Sequence, residues 1–167
     1  MDLRERQRPL KQGYRERPED ARIALSARGS EGAEAVACSV DVGRLVQEAQ
    51  AHTGVGGPGT AACSGDLLLG ALAACAQITC QMVAAATGVE TERIEVVAEG
   101  EVDLRGTLGV DPDAPVGFES IRLRLEVDAP GASAEQLERL MERTERYCTV
   151  LQTLREAPSI QTTLVAT

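Results

Sequence analysis

The stretch from Asp66 to Gly88, DLLLGALAACAQITCQMVAAATG, is the most informative part of this sequence. It carries no charged side chain after Asp66, and Cys75 lies near its middle. Ser64 before it is a favourable N-cap, Asp66 suits the first turn of a helix, and Gly88 is a typical C-terminal stop. The stretch therefore predicts one long helix. Its many small residues let other backbones approach closely, which favours a central position in the molecule.

The same stretch is long enough to cross a membrane, which needs roughly 20 apolar residues. Gln77, Thr79 and Gln81 interrupt it, however, and acidic residues flank it where a spanning helix would carry basic ones on one side. We therefore predict a buried core helix. In such a core, the amides of Gln77 and Gln81 would be costly if left without hydrogen-bond partners.

Length and charge limit the organisation and the partners of the chain. Its 167 residues suit one domain, which we assign to residues 21–167, and the mixed-charge residues 1–20 read as a flexible or peripheral arm. The net charge is −9, and residues 23–167 alone carry −11, which would repel phosphate backbones and anionic lipids. With only two tyrosines and one phenylalanine, a base-stacking surface is not expected. We predict neither nucleic acid nor membrane as a partner.

The cysteines indicate a reducing environment. There are five of them, an odd number, and no apolar signal segment follows Met1, so we expect reduced thiols in the cytoplasm. The sequence has one histidine and no pair of cysteines at metal-ligand spacing. We therefore expect no metal site and no cofactor.

The rest of the chain alternates between strand and helix patterns. Strands are predicted at residues 21–27, 35–42, 93–104, 117–127 and 159–165. Ser133 and Gln136 form a capping box before an amphipathic helix. The buried stripe of that helix comprises Leu137, Met141, Thr144, Cys148 and Leu151. The predicted order is β-β-α-β-β-α-β, an α+β domain.

Two segments of the chain resemble the OsmC/Ohr family of thiol-dependent hydroperoxide reductases. They are the LLxALAAC helix, which contains Cys75, and the C-x-V-x-x-x-L segment that begins at Cys148. The likeness covers about residues 20–165. It implies an OsmC-like fold, in which antiparallel sheets wrap around two buried central helices of an intertwined homodimer.

The resemblance also implies a reaction. By position, Cys75 would attack an organic hydroperoxide, Cys148 would resolve the product as a disulfide, and an external dithiol would reset the pair. Cys80 lies about 140° further round the helix and should not share the pocket. Because burial in apolar surroundings raises the pKa of a thiol, Cys75 needs a cation from elsewhere in the fold. The family carries an arginine after its first strand, for which Arg28 is the nearest match and Arg44 a weaker one.

Two departures from the family pattern bear on the function. The family glutamate ten residues before the first cysteine is replaced by Gly65, so Asp66 could substitute only if the helix start shifts. The family motif Cys-Pro-Val is here Cys148-Thr149-Val150. From periodicity alone, each cysteine also fits a small core residue. The predicted function is hydroperoxide reduction in oxidative-stress defence. The alternative is a non-catalytic OsmC-fold module that binds a small apolar ligand between its central helices.

Overall fold

A computed structural model describes the backbone of residues 3–31, 38–42, 51–57 and 62–166, and the side chains of residues 8–22, 51–57 and 62–166. The helices are α1 (Leu3–Glu16), α2 (Ser64–Thr87), α3 (Leu104–Thr107), α4 (Ala134–Tyr147) and α5 (Thr149–Arg155). The strands are β1 (Arg22–Glu31), β2 (Cys38–Val42), β3 (Arg93–Asp103) and β4 (Phe118–Asp128). This is the mixed helix-and-strand fold that the sequence predicts.

The charge-free stretch forms α2, as predicted. The N-cap is Cys63 rather than Ser64, and the backbone N–H of Cys63 donates to the Asp66 carboxylate at 2.8 Å. At the other end, Gly88 takes the left-handed conformation, with φ of +69°. By length and composition α2 could cross a membrane, but 56% of its most apolar window is buried within the chain. Its role is that of a core helix.

One antiparallel sheet, of strand order β2-β1-β3-β4, packs against α2. The side chains of Ile94, Val96 and Ala98 in β3 are buried in the core. The bounds of β3 and β4 differ by one residue from the predicted ones. The strand predicted at residues 21–27 is longer than expected, because β1 continues to Glu31. Its backbone there pairs with β2 on one side and β3 on the other, and this pairing outweighs the local turn propensity.

The amphipathic helix predicted in the second half is divided in two at Cys148. The capping box is confirmed, since the N–H of Gln136 donates to Ser133 Oγ at 3.2 Å and the N–H of Ser133 donates to Gln136 Oε1 at 2.8 Å. Near the end of α4, the buried Thr144 hydroxyl donates to the carbonyl of Leu140 at 2.7 Å, a bond that often bends a helix. Cys148 then leaves the helical conformation, with ψ of 101°, and α5 begins after it.

The strand predicted at residues 159–165 is wrong. Residues 156–166 form neither helix nor strand, and the side chains of Ile160, Leu164 and Val165 are 81%, 93% and 76% exposed. Strand propensity expresses itself only when a neighbouring strand offers its edge, and this segment pairs with none in the described part of the chain. The apolar side chains of this segment are therefore exposed to solvent.

The predicted N-terminal arm contains a helix. Residues 3–16 form α1, which the interleaved charges of this segment did not indicate. Tyr14 on α1 is buried, and its hydroxyl donates to the carbonyl of Gly54 at 2.6 Å. This hydrogen bond attaches α1 to the short 3₁₀ turn at Thr53–Val55.

Candidate active site

Cys75 lies in the middle of α2, at the boundary between its buried and exposed faces. Leu72 and Ala76 beside it are fully buried, whereas Leu68 and Met82, seven residues to either side, are 37% and 55% exposed. Residues seven apart lie on nearly the same side of a helix. Cys75 is accordingly only partly buried, and it is accessible from the outer side of α2.

Cys148 occupies the junction between α4 and α5, and its side chain is fully buried. Its N–H donates to the carbonyl of Thr144 in α4 at 2.9 Å. Its own carbonyl accepts from the N–H of Gln152 in α5 at 2.9 Å. The residue is therefore held by both helices, and the break between them determines where its sulfur lies.

The two cysteine thiols interact directly. The pKa of the Cys148 thiol is raised to about 11. Burial is the main cause, and a hydrogen bond and the charge interaction with Cys75 contribute, while the backbone N–H groups of Leu151 and Val150 oppose the rise. Cys148 therefore keeps its proton at neutral pH. The structure brings together the two residues that the sequence singles out, although they are 73 positions apart.

A cavity of about 380 Å³ is lined by neighbours of both cysteines, although neither cysteine itself lines it. Leu72, one turn before Cys75, and Leu151, one turn after Cys148, both line it. Most of the remaining lining is also apolar and includes Phe118, Ile121, Leu123, Met141 and Leu154. The polar contribution includes Glu145 and Arg155, which form an ion pair at 2.8 Å. The cavity is suited to an apolar molecule, at a place about one helical turn from each cysteine.

Of the other two predicted site residues, Asp66 is not brought to this pair. Asp66 lies nine residues before Cys75, about 13 Å along the helix axis, and its carboxylate accepts the N–H of Cys63 at the N-cap. Arg28 lies in β1, where its backbone is opposite Val97 of β3, but its side chain lies outside the described part of the chain. Arg44 lies outside the described residues altogether. The activating cation stays a prediction.

Cys80 is fully buried and lines a second, apolar cavity of about 250 Å³, which has Met141 in common with the first one. Gln77 Nε2 donates to the carbonyl of Ile94 at 3.0 Å. The Oε1 atoms of Gln77 and Gln81 are buried and have no hydrogen-bond partner within the described part of the chain.

Three residues around Cys148, namely Glu145, Gln152 and Arg155, did not stand out in the sequence. Gln152 Nε2 donates to the carbonyl of Glu145 at 2.7 Å, and Arg155 pairs with the carboxylate of the same residue. One signal could have revealed the helix break that these bonds span. The family motif has proline at the position of Thr149, and proline is frequent at the first position of a helix. The motif therefore marks the start of a new helix after the cysteine.

Comparison with known proteins identifies the family. The sequence profile of the OsmC-like protein family matches residues 57–163. An OsmC-like hydroperoxide resistance protein from Jannaschia sp. CCS1 superposes with a TM-score of 0.63 at 18% identity, covering 87% of this chain and 95% of its own. The organic hydroperoxide resistance protein OsmC from Legionella pneumophila gives a TM-score of 0.50 at 18% identity, covering 81% and 89%.

No curated protein sequence matches the chain. At this level of identity the two solved structures establish the fold, and the profile match over 57–163 establishes the family. The fold and the family predicted from the sequence are thus confirmed. The chain belongs to the OsmC-like protein family and has its α+β fold.

Proposed function

We propose that the protein reduces organic hydroperoxides with Cys75 and Cys148 and so serves in defence against oxidative stress. The observation that carries the proposal is the interaction of these two thiols, with an apolar cavity lined by the neighbours of both about one helical turn away. Two cysteines that served only as small core residues would not need to interact with each other. The similarity to proteins that are named for hydroperoxide resistance supports the same reaction.

The reaction proceeds in two steps on the protein. In the first, the Cys75 sulfur attacks the terminal oxygen of the hydroperoxide, the O–O bond breaks, and the alkoxide takes a proton and leaves as an alcohol. Cys75 is then a sulfenic acid. In the second, the Cys148 sulfur attacks Cys75, the S–O bond breaks, and hydroxide leaves as water with the proton of Cys148. An external dithiol then reduces the disulfide and becomes oxidised.

The division of roles follows from the burial of the two thiols. Cys148 is fully buried, and its raised pKa keeps it protonated at neutral pH. Cys75 is partly exposed and is therefore the sulfur that a hydroperoxide reaches first. The reset by a dithiol, and the reduced state of Cys63, Cys75 and Cys148, suit a reducing compartment, and we propose the cytoplasm.

We propose Arg28 as the cation that supports Cys75, on the family resemblance. A guanidinium stays charged when buried and can hold a sulfur and a peroxide oxygen together. Arg28→Ala should slow the reaction of Cys75 with cumene hydroperoxide about 100-fold, the usual effect of losing one preorganised donor. Single-turnover kinetics measures this, with the exposed Arg8 of α1, changed to alanine, as the control. Equal rates in the two variants would remove Arg28 from the mechanism.

We also propose a homodimer that covers the outer face of α2. The residues of that face are apolar and follow one another at steps of three and four, and they comprise Leu68, Ala71, Cys75, Ile78 and Met82. This is the spacing of a helix-packing seam. Since Cys75 belongs to it, a second copy would form part of the surroundings of the site.

Met82→Arg should therefore dissociate the dimer without unfolding the chain, because Met82 is 55% exposed in the single copy. Sedimentation at micromolar concentration should report two chains for the wild type and one for this variant. Val116→Arg is the matched control, because Val116 is also exposed but lies in the loop before β4, outside the outer face of α2, and should leave the dimer intact. A folded wild-type monomer would contradict the proposal.

The proposed activity is tested by turnover. The wild-type protein should consume many equivalents of cumene hydroperoxide per chain when dithiothreitol supplies the reducing equivalents. It should consume hydrogen peroxide more slowly, because that molecule has no apolar part to occupy the cavity. No consumption above the rate of dithiothreitol alone would refute the proposal.

The second candidate function is binding of a small apolar ligand without catalysis. The two cavities of about 380 and 250 Å³, both lined largely by apolar residues, favour it. The departures at Gly65 and Thr149 from the family pattern point the same way. A protein that binds cumyl alcohol, the unreactive product, but leaves cumene hydroperoxide intact would support this function instead.

A further inference from the structure

We infer that Gln152, with Arg155, positions Cys148 for disulfide formation by fixing α5 against α4 through Glu145. The inference rests on the proposed function, since it concerns the second step of that reaction. Neither residue touches the reacting atoms in the described structure. Both are therefore positioning residues, which act through the backbone on either side of Cys148.

The backbone carbonyl of Glu145 is the centre of this arrangement. The last four carbonyls of a helix have no N–H donor within it, and α4 ends at Tyr147. The carbonyl of Glu145 accepts instead from Gln152 Nε2, at 2.7 Å. A side chain of α5 thus occupies the place that the next turn of α4 would have filled.

The carboxylate of Glu145 makes a second connection to the same helix. It accepts from Arg155 at 2.8 Å, and Arg155 is the last residue of α5. The side chains of this pair are 50% and 36% exposed, and ion pairs in that setting are weak. The hydrogen bond from Gln152 is therefore expected to carry the larger part of the effect.

These two connections span Cys148. Its N–H is bonded to Thr144 in α4 and its carbonyl to Gln152 in α5, so the angle between the helices sets the position of its sulfur. In the second step an S–S bond forms between Cys148 and Cys75 as the S–O bond of the sulfenic acid breaks. Such a displacement needs the attacking sulfur opposite the leaving oxygen, and a small misplacement slows it strongly.

The connections from Gln152 and Arg155 to Glu145 matter because of the residue that follows the helix break. Thr149 is the first residue of α5 and does not restrict its own φ angle as a proline would. A proline is well tolerated at this first position of a helix. The extended conformation of Cys148, with φ of −71° and ψ of 101°, is the kind that a residue before proline adopts. Proline at 149 should thus stiffen the same junction by a different route.

The test compares Gln152→Glu with the wild type. Glutamate keeps the size of the side chain but cannot donate to the carbonyl of Glu145. Gln12→Glu is the matched control, because Gln12 also donates to a glutamate, at 3.0 Å, but on the exposed side of α1. A double variant, Gln152→Glu with Thr149→Pro, tests rescue.

Two readouts are needed. The first is the rate of Cys75–Cys148 disulfide closure after one equivalent of cumene hydroperoxide, with dimedone trapping of the Cys75 sulfenic acid. The second is the equilibrium between dithiol and disulfide in glutathione buffers, which requires no hydroperoxide. Gln152→Glu should slow closure about tenfold and lower the disulfide equilibrium constant about tenfold, with the hydroperoxide consumed at the wild-type rate. Gln12→Glu should change neither quantity, and Thr149→Pro should restore both.

Closure and equilibrium in Gln152→Glu that match the wild type would overturn the inference, as would a double variant that shows no recovery. A different result would refute the proposed function alone. If the wild type forms the disulfide in glutathione buffers but leaves the hydroperoxide intact, the proposed hydroperoxide reduction is refuted. The glutathione equilibria of the variants would then still decide the positioning role.

Discussion

Replacing Cys75 with serine should reduce hydroperoxide consumption at least about 1,000-fold, because the reaction depends on a nucleophile that serine does not supply. A hydroxyl is not ionised at neutral pH and forms no equivalent of the sulfenic acid. The measurement is the consumption of cumene hydroperoxide with dithiothreitol in excess. Cys148 remains in this variant, so any residual activity reports what the second thiol achieves alone.

Cys148→Ser should behave differently from Cys75→Ser. The first equivalent of hydroperoxide should still be consumed, after which the sulfenic acid at Cys75 persists and can be trapped with dimedone. Cys80→Ala is the control, since Cys80 is buried on another side of α2 and does not line the cavity of about 380 Å³. Activity in Cys75→Ser above about a tenth of the wild-type value would contradict the assignment. An equally large loss in Cys80→Ala would do the same.

The largest expected effect on stability is at Asp103. This carboxylate is fully buried at the end of β3, and Arg105 donates to it from its backbone N–H, at 3.0 Å, and from its guanidinium. Arg105 also pairs with Asp111 at 2.9 Å, so the three residues tie β3 to α3 and the loop after it. Asp103→Ala should lower the free energy of unfolding by about 3 kcal/mol, because a largely buried guanidinium loses its main partner. Thermal unfolding should show a fall in Tm of about 10 °C.

The effect of Asp103 should depend on pH. The hydrogen bonds from Arg105 hold the pKa of Asp103 below its ordinary value. A carboxyl with a depressed native pKa stabilises the fold above its unfolded pKa of about 3.9, and this contribution is lost as the pH falls through the native value. The difference between wild type and Asp103→Ala should thus be constant above about pH 5 and narrow in more acidic solution.

Asp20→Ala is the control for Asp103, since Asp20 also pairs with an arginine but is exposed. Its partner is Arg17, at 2.6 Å, and the side chains are 61% and 48% exposed for Arg17 and Asp20. Such pairs contribute at most about 1 kcal/mol. If Asp103→Ala lowers the free energy of unfolding no more than Asp20→Ala does, the ion pairs at the end of β3 do not stabilise the fold.

The parts of the fold that the sequence predicted well are those set by local patterns. The charge-free run between Asp66 and Gly88 has a single low-energy solution, a buried helix. The alternation in β3 and β4 reflects one face packed on α2 and one in solvent, so their bounds were accurate to one residue. The interaction of Cys75 with Cys148 came from the family resemblance, because no local pattern links residues 73 positions apart.

The parts of the fold that were predicted wrongly depend on contacts between different elements rather than on a local pattern. The helical spacing of Leu137 to Leu151 continues through Cys148, so periodicity alone could not show that the helix divides there. At the division, the side chains of Gln152 and Arg155 reach back to Glu145, a contact that the spacing of apolar residues does not indicate. Residues 159–165 have the composition of a strand but no edge to pair with in the described part of the chain.

One measurement tests the central claim most directly. The fully reduced protein is treated with one equivalent of cumene hydroperoxide, the remaining thiols are alkylated, and the peptides are mapped by mass spectrometry. We predict one disulfide, between Cys75 and Cys148, with Cys38, Cys63 and Cys80 recovered in their alkylated form. Recovery of Cys75 and Cys148 as alkylated thiols, or a disulfide that joins any other pair, would contradict the account.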